Sequence, residues 1–145
     1  MMGSRKLEIL QEHYEAFDRG DMERAARFFS KTITYKDQAR GLTFTGAGQV
    51  QAALSEWKRS FSDARHTDLA HIDAGDSMVF RSVGRGTNDG PLGDLPPTGR
   101  TVSFPVCEVW EFDGDGRIAR GEVYYDQLSV LTQLGHVPAA EPVGL

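Results

Sequence analysis

Apolar residues recur every three or four positions as far as Phe61, and every second position from Arg65 to Tyr125. That single change of period constrains the fold more than any other feature, because a helix buries one stripe and a strand alternates its faces. Leu7, Leu10, Tyr14 and Phe17 form the first helical stripe, with Ser4 as a candidate cap and Gly20 as its stop. Asp21 caps a shorter second helix carrying Ala25, Phe28 and Phe29. Residues 32–36 and 41–45 read as short extended pieces, and Val50, Leu54, Trp57 and Phe61 mark a third helix. Four extended runs follow over 65–73, 78–87, 101–112 and 117–125, joined by compact Gly/Asp turns at 74–76 and 113–116 and a Gly/Pro-rich connection at 88–100. Leu128, Leu131 and Leu134 then step along a last helix that Gly135 ends.

Helices first and a meander afterwards is the order of an α+β domain. The expected architecture is a cone, a curved, mostly antiparallel sheet wrapped over three N-terminal helices, with a pocket on its concave side. Gly84 and Gly86 stand where a bulge would bend a long strand. No repeat or linker divides residues 1–145, so one domain is expected, with the tail 136–145 frayed or laid on a neighbouring subunit.

Charge and composition remove several classes of function. A net charge of −5 disfavours nucleic acid and anionic membranes as partners. No apolar run reaches spanning length and no signal-peptide core opens the chain, so a cytoplasmic protein is expected. Cys107 is the only cysteine, and with His13, His66, His71 and His136 it shows no metal-ligand spacing. Residues 113–124 fail as a calcium loop, with Arg117 fifth and Tyr124 twelfth. Gly84-Arg85-Gly86 lacks the third glycine of a dinucleotide fingerprint, and there is no Gly-x-Ser-x-Gly elbow. Acid/base chemistry without metal or cofactor is what remains.

Alternation along 101–112 puts Val102, Phe104, Val106, Glu108, Trp110 and Phe112 on one face, and Ser103, Pro105, Cys107, Val109 and Glu111 on the other. The first face is the more apolar and is expected to point inward, taking Glu108 with it. A carboxylate there has to be paired, hydrogen-bonded or protonated, and Asp126 or Arg81 is the expected neighbour. Arg81 also reads as an outer-face residue at a dimer interface. His71, alone on its strand, reads as a surface histidine. Asp126, at a strand-to-helix junction, reads either as a helix cap or as a working carboxylate. Tyr14, Phe17, Tyr35, Trp57, Trp110 and Tyr124 are candidates for a pocket wall that stacks on a flat ligand, and equally for plain core.

Asp126 followed by Gln133-Leu134-Gly135, together with the segments Gly84-Arg85-Gly86-Thr87-Asn88-Asp89-Gly90 and Pro96-Pro97-Thr98-Gly99-Arg100, resembles the SnoaL-like polyketide cyclases. These belong to the nuclear transport factor 2-like, ketosteroid isomerase-like superfamily. The resemblance implies that Asp126 is the catalytic acid/base and that Tyr14 lines the substrate pocket. It also implies that Glu108 stands near the position of a family histidine, and that Asn88 replaces a histidine found in ester-cyclase relatives. A cofactor-independent cyclase or isomerase acting on a small, apolar, carbonyl-rich molecule is the expected function, with intramolecular aldol closure of a polyketide as the example. Two alternatives remain: epoxide hydrolysis by an Asp126–Arg81–Glu108 arrangement, and non-catalytic binding of a hydrophobic ligand. A homodimer through Cys107, Val109 and Val123 on the outer sheet face is expected.

Overall fold

The computed structural model describes residues 2–138. Helix α1 (Met2–Asp18) leads, followed by the one-turn α2 (Met22–Ala25), which Asp21 caps by accepting the Arg24 N–H at 3.1 Å. Strands β1 (Phe29–Asp37) and β2 (Leu42–Thr45) precede α3 (Ala47–Ser60). The meander β3 (Arg65–Asp73), β4 (Met78–Thr87), β5 (Thr101–Phe112) and β6 (Ile118–Tyr124) follows, and α4 (Gln127–Leu134) closes the described chain. The six strands form one curved, unclosed sheet in the order β2-β1-β6-β5-β4-β3. Only β1 and β6 run parallel; the other pairs are antiparallel. The expected α+β architecture is therefore the observed one.

Several local expectations shift. α1 begins at Met2, ahead of the cap expected at Ser4. α2 ends at Ala25, and Phe29 already belongs to β1, which reaches Asp37. The glycines of β4 mark close packing rather than a bulge, since the β4–β5 register runs unbroken from Met78↔Trp110 to Thr87↔Thr101. A Cβ at Gly84 would come within 2.9 Å of the Phe104 ring, and one at Gly86 within 3.0 Å of Phe61. The irregularity lies in β3 instead, between Thr67 and Ala70, where Asp68 takes φ 55°. Of the tail expected to fray or dock, 139–145 lies outside the described residues.

The inner face of the sheet closes on the helices around Leu10, Ile33, Val50, Phe61, Trp110, Ile118, Val130 and Leu134, each almost wholly buried. β5 behaves as its alternation predicts: Val102, Phe104, Val106, Glu108 and Trp110 are buried, while Phe112 at the end of the run is only partly so. Register then fixes its neighbours. Val123 pairs with Glu108 and is 8% exposed, so it faces inward and leaves the outer-face set in which it was expected. Arg81 pairs with outward Cys107 and is exposed on the convex side. His71 lies exposed near the edge of the sheet. α4 is held to β5 by Gln133, whose side chain accepts the Ser103 N–H at 2.9 Å and donates to the Ser103 carbonyl at 3.0 Å.

Candidate active site

The concave side of the sheet holds a cavity whose empty space, counting its open mouth, is about 800 Å³. Its walls are mainly apolar, with Phe17, Leu54, Trp57, Phe61, Phe104 and Val106 among them. Polar groups interrupt this lining, Arg65 and Arg85 among them, and two buried carboxyl groups, each tied to β1, organise most of the rest.

The first is Glu108, 5% exposed. Tyr14 from α1 donates to Glu108 Oε1 at 2.9 Å, and Tyr35 from β1 donates to Oε2 at 2.8 Å. Trp110 Nε1–H in turn donates to the Tyr14 oxygen at 2.8 Å, so a chain of donors ends on the carboxylate. Each oxygen of this buried carboxyl thus has a hydroxyl donor, as a polar group shut from water requires. Burial, and then the charge of Glu108, push the pKa of both tyrosines well above the ordinary value of 10.0, so they stay protonated donors. The geometry depends on a missing side chain: Gly121 pairs with both Tyr35 and Trp110. A Cβ there would lie 2.5 Å from the Trp110 ring and 2.8 Å from that of Tyr35.

Beside Glu108 stands His66, at the start of β3. Asp18, at the end of α1, accepts both the His66 backbone N–H at 3.1 Å and the ring Nδ1–H at 2.9 Å. That bond assigns a proton to Nδ1 and turns Nε2 toward Glu108. Nε2 is 3.8 Å from Glu108 Oε1, outside hydrogen-bond range. His13 also lines the cavity; its Nδ1–H donates to the Ala25 carbonyl at 2.8 Å, and burial lowers its pKa, so it is a neutral ring.

The second polar group is Asp37, two residues along β1 from Tyr35 and 3% exposed. It accepts the Arg40 backbone N–H at 3.1 Å, Arg40 Nε–H at 2.6 Å and the Tyr125 hydroxyl at 2.9 Å. The Arg40 guanidinium lies over the Trp57 ring at 5.6 Å. Burial is the largest single influence and works against the Arg40 charge, but Asp37 and Tyr125 together outweigh it and leave its pKa above the ordinary value. Burial, then Asp37, raise that of Tyr125.

The residues singled out from sequence fall into three groups. Phe17, Tyr35, Trp57 and Glu108 line the cavity, and Tyr14 and Trp110 stand behind Glu108 as its hydrogen-bonded support. Asn88 is buried elsewhere: it donates to the Ser60 and Gly90 carbonyls and accepts the Thr98 N–H, which pins the 88–100 connection. Arg81, Tyr124 and Asp126 are outside. Tyr124 is 43% exposed and donates to Glu122, while its neighbour Tyr125 takes the inward position. Asp126 is exposed and caps α4, accepting the Ser129 N–H at 3.1 Å. The neighbours expected for Glu108, Asp126 and Arg81, are thus replaced by Tyr14, Tyr35 and His66.

Asp18, Asp37, Arg40 and Tyr125 are not among the site residues the sequence suggests, and His13 and His66 are weighed there only as metal ligands. Asp37 was recoverable, since it shares the i, i+2 face of Tyr35 once β1 is extended to residue 37. The Asp18–His66 pair spans 48 positions and has no local signature. Among the described residues no three His, Cys, Asp or Glu side chains are grouped to hold a metal ion, and no helix is long and apolar enough to cross a membrane.

A search of curated proteins found no match. Solved structures of similar shape are numerous. A candidate polyketide cyclase from Xanthomonas campestris superposes with a TM-score of 0.83 at 22% identity, covering 93% of this chain and 100% of that one. A candidate SnoaL-like polyketide cyclase from Jannaschia gives 0.83 at 18%, covering 93% and 94%. A ketosteroid isomerase-like protein from Catenulispora acidiphila, solved with trimethylamine, gives 0.78 at 23%, covering 93% and 98%. Such likeness establishes the nuclear transport factor 2-like, ketosteroid isomerase-like fold. The family model of the SnoaL-like polyketide cyclases matches residues 8–134, which supports a cyclase or isomerase kind of function. On that match the chain belongs to the SnoaL-like polyketide cyclase family.

Proposed function

We propose that the cavity performs acid/base chemistry on a small, apolar, carbonyl-bearing molecule, with His66 and Glu108 as the working pair. The observation that carries this reading is the 3.8 Å gap between His66 Nε2 and Glu108 Oε1 on the wall of an apolar cavity. Both Glu108 oxygens are taken up by the tyrosine hydroxyls, so its part is to face the His66 ring rather than the substrate. His66, its ring oriented by Asp18 through Nδ1, turns Nε2 toward the cavity, the position a general base requires. In the proposed sequence, Nε2 removes a proton from the carbon next to the substrate carbonyl, and Asp18 and Glu108 stabilise the resulting imidazolium from its two sides. The enolate attacks a second carbonyl of the same molecule, and Nε2–H returns the proton to the new alkoxide. Folding the substrate inside the aromatic walls brings the two carbons together.

The general test needs no knowledge of the natural substrate. Deuterium wash-in next to the carbonyl of α-tetralone, a bicyclic aryl ketone, is followed by NMR. The native protein is expected to catalyse exchange, and His66→Gln and Glu108→Gln to lower it by roughly two to four orders of magnitude. Exchange no faster than that given by free imidazole at equal concentration would overturn the reading. Non-catalytic ligand binding is favoured by one observation, that both Glu108 oxygens already have donors; binding of the ketone without exchange is its signature. The Asp126–Arg81–Glu108 arrangement for epoxide hydrolysis draws no support, since two of its members are exposed outside the cavity.

A further inference from the structure

We propose that Arg40, backed by Asp37, Tyr125 and Trp57, is an oxyanion subsite that takes the carboxylate or enolate end of a flat apolar ligand. The proposal rests on the reading of the cavity as a small-molecule site and adds what the molecule must carry. Arg40 gives its Nε–H to Asp37 and its guanidinium also meets the Tyr125 hydroxyl, and no other acceptor among the described residues takes up its terminal nitrogens. Its side chain is 29% exposed, held between Asp37 and the Trp57 face, and Arg40, Asp37, Trp57 and Tyr125 all line the cavity. Asp37 is saturated by three donors, so it orients the guanidinium without needing the terminal N–H groups. A guanidinium fork held in place in an apolar wall suits a planar oxyanion.

Spacing says where the rest of the ligand lies. Tyr35 reaches Glu108 and Asp37 reaches Arg40 from alternate residues of one strand, about 7 Å apart along β1 at ~3.3 Å per residue. A ligand anchored by its anionic end at Arg40 therefore lays its apolar body against Trp57, with the Glu108 end of the same cavity beyond it. The reverse orientation is disfavoured because it would set the ligand's anion against the Glu108 carboxyl, whose oxygens offer no donor.

The test is titration calorimetry with naphthalene carboxylate and naphthalene carboxamide, equal in shape and different in charge. The native protein is expected to bind the carboxylate ten- to a hundredfold more tightly, corresponding to about 1.4 to 2.8 kcal/mol. Arg40→Gln is expected to abolish that preference, and Glu108→Gln to strengthen carboxylate binding. The double variant Asp37→Asn/Arg40→Gln, which strands no buried carboxylate, covers the case in which Arg40→Gln fails to fold. Equal binding of the two probes, no saturable carboxylate binding up to about 10 mM, or an undiminished preference in the double variant would overturn the subsite. Failure of the exchange reaction in a protein that keeps the preference would reject the acid/base reading and leave the subsite standing.

Discussion

Two carboxylates, 18 residues apart in the chain, show how setting decides chemistry. Glu108 sits mid-strand on the concave face, shut from water and held by two tyrosine hydroxyls. Asp126 sits at the first turn of α4, open to water and bonded to a backbone N–H. In a buried place a charge must be built for, and its whole surrounding is specific to it. At an exposed cap the same group satisfies one orphan donor, and a neutral amide can do the same. The family motif points to Asp126, and the geometry of this chain points to Glu108.

The largest expected effect separates the two directly. Glu108→Gln should lower exchange by roughly two to four orders of magnitude while Asp126→Asn leaves it unchanged. A large loss in Asp126→Asn, at unaltered melting temperature, would restore the motif's carboxylate to the mechanism and break the comparison.

Alkali sharpens it next. Tyr14, Tyr35 and Tyr125 all have folded pKa values above 10.0, by burial first and then by the neighbouring carboxylates. The stability they contribute is complete below 10.0 and is lost as pH rises from there toward the higher folded values. Each raised group contributes a slope of about 1.4 kcal/mol per pH unit in that window, so the three together approach ~4. Denaturant titrations at successive pH values read the slope, and Tyr14→Phe should reduce it by about one-third. A flat profile above pH 10 would show that these hydroxyls are not buried.

A smaller effect tests the packing behind Glu108. Gly121→Ala forces its methyl into Trp110 and Tyr35, which should cost about 1–3 kcal/mol and reduce exchange along with stability. An unchanged melting temperature would mean that the two rings have room to move. The smallest effect lies at the other carboxylate: Asp126→Ala should cost ~1 kcal/mol through the lost cap, and Asp126→Asn only a few tenths. Melting curves decide it.

Legibility followed locality. The period change at Arg65, the inward face of β5 and the burial of Glu108 were readable because alternation is a property of neighbouring residues. The partners of Glu108 were not. Arg81 differs in face from Phe80 and Ser82 by one step of register, and the parity of β4 is set only by its pairing with β5. The same parity question exchanged Tyr124 for Tyr125 and moved Val123 inward. Asp126 illustrates the opposite limit, since both readings of it were open and its exposure is a tertiary fact.

The hydroxyl bonds to Glu108 span 94 and 73 positions of sequence, joining the first helix and the first strand to the fifth strand. During synthesis, Tyr14 and Tyr35 therefore leave the ribosome long before their acceptor does. Until β5 docks, nothing rewards the helices for enclosing either hydroxyl, and loop closure over such distances comes at the end of collapse rather than at its start. The wall of the cavity that carries Glu108 thus forms only late in a partly made chain, and the Tyr125–Asp37 contact later still. A fragment stopping before Glu108 retains the aromatic half of the pocket as uncovered apolar surface, a binding face for chaperones or for another unfinished copy.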